Sequence, residues 1–279
     1  MRNVWAVLFL IPFLVSGQGI TPIAESEKTI TQFVSEFSDV DGLGIAAPDI
    51  AQFIDKLAQH GSHPNSLKFC RSLYNKTRRE FFQRYDQYAS FRETLNKGKY
   101  NCLTGTVLYA LLLDHFDIEY SIVETNYHIF LLVSTDEGEV LFETTDPFGG
   151  FVSDAAEIEK RIQHYKQNTL LTMEGDDKQY YEYEVNLYKQ VNLNQMSGLL
   201  HYNLSTQAYN QQNFKAAIHH LDKALDRYSS PRITEFSSIM LMTVMESNLE
   251  GGVKAAYLKN IQAIRKKQIS LIANRSFGH

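Results

Sequence analysis

The stretch KGKYNCLTGTVLYALLLD, residues 97–114, constrains the fold more than any other. A polar, turn-prone run ends at Asn101-Cys102, and an almost wholly apolar segment of helix length follows at once. A helix apolar on every side cannot lie on a surface and needs cover on more than one face. The chain must therefore wrap other elements around Leu103, Val107, Leu108, Leu111 and Leu112. An apolar content of 44%, with 17 Phe and 16 Tyr, is enough to build that core. The mouth of the helix carries Cys102, one of only two cysteines. Free N–H groups and the macrodipole at a helix start stabilise an anion, and the thiolate is the nucleophilic form of cysteine.

The flanking segments supply the cover. Ile30, Phe33, Val34 and Phe37 recur at helical spacing, as do Ile50, Phe53, Ile54 and Leu57. Leu67 to about Leu95 again reads helical, until Lys97-Gly98-Lys99 breaks it. Beyond the apolar helix the pattern changes to strands. Residues 118–122 alternate, and Tyr127 to Val133 is apolar on both faces, as a covered central strand is. Asp136-Glu137-Gly138 is a turn, Val140 to Thr144 a further strand, and Asp146-Pro147-Phe148-Gly149-Gly150 ends it. Tyr180 to Val185 is a later strand candidate. From about Asn194 the chain reads helical to the end. Helices, then strands, then helices predict an α+β domain over residues 24–190 followed by a helical one over 194–279.

The amino terminus adds an address. Arg2 and the apolar run Val4 to Val15, followed by Val15-Ser16-Gly17, predict a signal peptide over residues 1–19, too short to span a bilayer. The mature protein is expected outside the cytoplasm, secreted or periplasmic, with no transmembrane span. A disulfide between Cys70 and Cys102 is open in that setting, but Cys70 falls at an apolar helical position and reads as core.

Three residues stand out for chemistry. With hairpin pairing symmetric about Glu137, His128 stands across from Asp146; a bulge at Gly138 would shift that by one. Asp146 would then orient one ring nitrogen of His128 and leave the other for Cys102. Nucleophile, base and orienting acid are the parts of a thiol triad. Each residue alone has a plainer reading. Cys102 is a small buried hydrophobe, His128 a satisfied core residue, and Asp146-Pro147 an ordinary turn start.

Taken together, Gly-Lys-Tyr-Asn-Cys102 before an apolar helix, Tyr-His128-Ile-Phe on a strand and Thr-Thr-Asp146-Pro-Phe-Gly-Gly resemble the transglutaminase-like superfamily over residues 65–155. The resemblance implies a papain-like α+β fold with Cys102 as nucleophile, His128 as base and Asp146 as orienting acid. Phe116-Asp117-Ile118 stands where the family often has Gly-Ile-Pro, and Phe130 where it commonly has Trp. No oxyanion-hole side chain is identifiable by likeness, with Gln83 and Gln87 the nearest candidates. In LSTQAYNQQNFKAAIHHLDKAL, the residues Leu204, Ser205, Ala208, Ala217, Leu221 and Ala224 are spaced similarly to a tetratricopeptide repeat (TPR). That makes the carboxy-terminal region TPR-like, or else a plain helical extension.

Several classes drop out. A formal net charge of −5 without a basic stripe argues against nucleic acid. His60 and His63, and the adjacent His219 and His220, lack ligand spacing, so no metal is expected and no cofactor is implied. Two functions remain. One is a secreted thiol enzyme acting on peptide or amide bonds of a peptide or protein substrate, by hydrolysis or acyl transfer. The other is a non-catalytic scaffold of the same fold that binds a protein partner through its carboxy-terminal helices.

Overall fold

The computed structural model describes residues 50–59, 63–126, 128–167 and 187–276, with side chains to Ile269 in the last helix. The expected signal peptide, the Ile30–Phe37 helix and the Tyr180–Val185 strand lie outside the described residues. Within them the architecture is α+β: nine helices and a five-stranded antiparallel sheet. In chain order the elements are α1 (Ile50–Ala58), α2 (Leu67–Phe81), β1 (Arg84–Tyr85), α3 (Phe91–Lys97), β2 (Lys99–Tyr100), α4 (Cys102–His115), β3 (Tyr120–Thr125), β4 (Ile129–Thr135), β5 (Gly138–Phe142), β6 (Phe151–Val152), α5 (Ala155–Gln167), β7 (Tyr188–Val191), α6 (Leu193–Asn210), α7 (Phe214–Arg227), α8 (Pro231–Glu246) and α9 (Gly251–Ser276).

Helix α4 is the axis of the molecule. Every residue from Leu103 to Leu113 is buried. Its start is fixed by a reciprocal capping box, in which the Asn101 side chain accepts from the Thr104 N–H at 2.9 Å and the Thr104 hydroxyl accepts from the Asn101 N–H at 3.1 Å. One side of α4 packs on Ile122, Ile129, Leu131, Val133 and Phe142 of the sheet. Other sides meet α2, where Tyr109 stacks on Tyr74 at 5.1 Å, and α6, through Leu199 and Leu200.

The sheet order is β6-β5-β4-β3-β7. Strand alternation gives it two buried faces. Ile129, Leu131 and Val133 face α4, whereas Val123, Phe130, Leu141 and Val152 face Ile158 and Ile162 of α5. The doubly apolar run predicted for a covered strand therefore lies in β4, at Ile129–Thr135.

Two sequence expectations need correction. The helix expected over Leu67–Leu95 divides. It stops at Phe81, the extended pair Arg84–Tyr85 bonds parallel to Lys99–Tyr100, and α3 restarts under a Ser90–Glu93 capping box. Phe82 leaves the helix to stack on Tyr100 at 4.9 Å, a contact that helical periodicity does not encode. The strand expected over 118–122 runs from Tyr120 to Thr125. The disulfide that the sequence left open is not formed: Cys70 and Cys102 are both free, and Cys70 is buried in the core, as its helical position predicts.

The carboxy-terminal helices pack on the sheet domain. Helices α6 and α7 meet through Ser205, Ala208, Ala217, Leu221 and Ala224, all buried, and the Ser205 hydroxyl donates to the Ala217 carbonyl at 2.6 Å. In the same seam the Nδ1 atoms of His201 and His220 lie 3.2 Å apart. Burial, then the neighbouring His201, His219 and Lys223, lower the His220 pKa to about 4. No helix among the described residues is long and apolar enough to cross a membrane.

Two outcomes follow. Leu108 is fully buried, so Leu108→Asp strands an unpaired charge in the core and should abolish the cooperative thermal melt. The second concerns acid. His220 is held neutral in the fold, whereas an unfolded histidine takes its proton near pH 6.5. Its stability contribution is thus complete above pH 6.5 and lost as pH falls toward 4, about 3 kcal/mol in all. Denaturant titrations across that window should show a clearly shallower pH slope for His220→Gln than for the native chain.

Candidate functional site

The polar end of α4 opens into a cleft of about 140 Å³, room for roughly four or five waters and so for a side chain rather than a folded partner. Cys102 is the first helical residue and is partly exposed in this cleft. Its position is held from behind. The Asn101 amide donates to the Gln87 and Ala89 carbonyls at 3.1 and 3.2 Å, which ties the helix start to the loop after β1.

His128 precedes β4 and lines the same cleft as Cys102, close enough for the two side chains to interact. Its backbone is pinned by Thr125, whose hydroxyl accepts from the His128 N–H at 3.2 Å. The ring's Nε2 is bonded to Glu143 Oε2, which leaves Nδ1 as the nitrogen available to the sulfur. Glu143 is 3% exposed. Its Oε2 also accepts the Tyr165 phenol at 3.0 Å, and its Oε1 accepts the Thr145 N–H and hydroxyl at 2.9 and 2.8 Å.

Electrostatics follow from this arrangement. Burial disfavours an imidazolium at His128, but the neighbouring Cys102, the hydrogen bond to Glu143 and the charges of both outweigh it, and the pKa is pushed up to about 10. For Glu143, burial favours the neutral acid, yet His128 and Thr145 hold the carboxyl below the usual range.

Of the three residues singled out in sequence, the structure brings Cys102 and His128 together and places Asp146 elsewhere. Asp146 does not face His128. Its Oδ1 accepts from the Phe148 and Gly149 N–H groups at 3.1 and 2.9 Å, and its Oδ2 pairs with Arg161 at 3.1 Å. It shapes the 145–150 loop, the turn-start role that Asp-Pro has on its own. The reason is register. Thr135 pairs with Gly138 across a two-residue turn, not with Glu139 as symmetry about Glu137 requires. A slip of one residue exchanges the faces of a strand. Carried past the paired residues, the observed register places odd-numbered positions after β5 on the side of His128. That selects Glu143, diagonal to His128, and excludes Asp146.

The sequence signal for Glu143 was its charge at the end of an apolar strand, with the parity of Leu141. Tyr165 is supplied by α5 and carried no local signal. Gly105 sets the approach of the Glu143 segment to the helix: a Cβ there would come within 2.0 Å of the Thr144 methyl. Of the two glutamines, Gln87 lines the cleft, while Gln83 packs beneath Gly98.

The opposite wall holds a second acid. Glu124 on β3 is 1% exposed and faces α4, on the other side of the sheet from Glu143. Burial raises its pKa against the opposing effects of Arg232 and Tyr228. Leu199, Tyr202 and Asn203 of α6 and Arg232 of α8 complete the cleft. Arg232 donates through Nη2 to the Thr125 and Asn126 carbonyls at 2.6 and 2.7 Å, fixing the chain that leads into His128. Among the described residues no cluster of three or more His, Cys, Asp or Glu is arranged for a metal ion.

The geometry separates the two acids. In a ¹⁵N titration of the imidazole, His128 should remain protonated to about pH 10. Glu143→Gln should lower that midpoint by roughly 1–3 units, since it removes the opposed charge. Asp146→Asn should leave the midpoint close to native. Comparison of the chain with known protein families, with curated proteins and with solved structures finds no match in any of the three.

Proposed function

We propose that the protein is an exported thiol enzyme of papain-like, transglutaminase-like architecture that acts on peptide or amide bonds, with Cys102 as nucleophile, His128 as proton carrier and Glu143 as orienting acid. The observation that carries this reading is the shared cleft of Cys102 and His128 at the mouth of a capped helix, with the His128 ring bonded behind to the buried Glu143 carboxylate. Structural histidines do not need all three groups in series with the sulfur facing a cleft.

The chemistry follows from those positions. A thiolate beside an imidazolium attacks the acyl carbon, and an S–C bond forms as the carbonyl π electrons move to oxygen. The Cys102 N–H is among the first-turn donors that lack an intrahelical acceptor, and it is suited to the oxyanion. The imidazolium gives its proton to the departing amine as the C–N bond breaks. Water or a second amine then attacks the thioester and returns a proton to His128. Glu143 keeps the ring oriented throughout and stabilises its charge, as the acid of a triad does. The carboxy-terminal helices, read as a TPR-like module, supply one wall of the cleft and a surface for a protein partner.

Selective alkylation tests the reading. Burial, with the charge of Asp136, pushes the Cys70 thiol up to about 11, and Cys70 is fully buried, so it is an internal control. Iodoacetamide at pH 6–7, followed by peptide mapping, should modify Cys102 and spare Cys70. Cys102→Ala should fold normally and lose amide turnover, and His128→Ala should lose the low-pH alkylation. A Cys102 no more reactive than an ordinary thiol would favour the non-catalytic scaffold.

A further inference from the structure

Glu124, a residue of the cleft wall, carries a buried polar atom that the triad does not use. Glu124 Oε2 accepts the Tyr228 hydroxyl. Oε1 is buried and has no hydrogen bond. Arg232 Nε lies 3.5 Å from it, an ion contact without a hydrogen bond, and the Nη2 of the same guanidinium is committed to two backbone carbonyls. A buried acceptor left unbonded is costly, and proteins rarely keep one without a use. This one belongs to a residue that lines the cleft of Cys102 and His128.

We propose that Glu124 Oε1 is a substrate-recognition acceptor that takes an uncharged N–H of the acyl substrate, so that the site selects amides over the corresponding esters. The proposal rests on Cys102 being the nucleophile of this cleft. Charge argues for a neutral donor. Arg232 already balances the carboxylate, and Lys189 adds further positive potential, so an ammonium or guanidinium would gain little there. Shape agrees: the remaining walls include the apolar Leu103, Ile129 and Leu199, and the small volume suits a planar amide. A site built to bond an N–H discriminates strongly against the analogue that lacks it, because its own polar group is then left unpaired.

A matched pair of alkylating probes tests this without a known substrate. N-methyl iodoacetamide and methyl iodoacetate are nearly isosteric, and only the first carries an N–H. With either, the Cys102 sulfur bonds to the methylene carbon and iodide leaves. Rates at Cys102, each divided by the rate with a free small-molecule thiol, should favour the amide by about tenfold. Glu124→Gln keeps the shape and, with its amide oxygen turned to Tyr228, presents an NH₂ to the cleft. Its melt should stay cooperative, and its ratio of amide to ester rates should fall to that of the free thiol. Fast alkylation by both probes at the free-thiol ratio overturns the role of Glu124 and leaves the thiol chemistry standing. Alkylation by neither above the free thiol overturns the nucleophile itself, and the inference with it. If Glu124→Gln does not fold, the native ratio alone decides.

Discussion

Burial of α4 on all sides is the constraint on which the rest depends. An apolar helix of this kind gains most when sheet and helices enclose it completely, and the described core is built around it. Enclosure also concentrates the polar problem. Along its length α4 satisfies its own backbone, so unpaired N–H groups remain at its start. Asn101 and Thr104 satisfy part of that need by capping. The rest is left facing the cleft, at the residue that carries the sulfur. The same packing that stabilises the domain thus creates the place where an anion is favoured.

The two-sided sheet then distributes acids by parity. Glu124 and Glu143 are both nearly sealed from water, but on opposite faces. Glu143 sits among donors and is held as a carboxylate. Glu124 has one hydrogen bond and an ion contact with Arg232 at 3.5 Å, and the effect of burial exceeds theirs. Pairs of carboxyls pushed apart by their surroundings mark a division of labour in many sites. In the proposed chemistry, the division is between orienting the base and meeting the substrate.

The carboxy-terminal helices are part of this site. Tyr228 and Arg232 grip the end of β3, and Asn203 and Asn210 reach the loop that also anchors Asn101. Removing those contacts would free the backbone on both sides of the cleft, at His128 and at Cys102. The His201–His220 contact lies in the seam between the two helices that carry this wall and its buttress, so protonation there loosens the module from within.

Much of the fold was legible along the chain. Periodicity marked the α4 helix, the doubly covered β4 and the helical carboxy-terminal half, because each is a local pattern of apolar residues. The Cys102–His128 pair was legible from the polar-to-apolar switch at Cys102, from a histidine inside an apolar strand, and from the resemblance that joins them. The identity of the carboxylate beside His128 was not. It turns on whether a hairpin closes with two residues or three, and tertiary contacts settle that, including the hydrogen bond from the Asp136 N–H to the Asn65 carbonyl at 2.9 Å. Glu124, Tyr165 and Arg232 were equally out of reach, because no spacing rule links β3 to α8 or β5 to α5. The sequence by itself determined which segments had to be buried and where the thiol would emerge. Only the tertiary structure decided which carboxylates surround it, because a side chain's face and its distant neighbours are properties of strand register and packing.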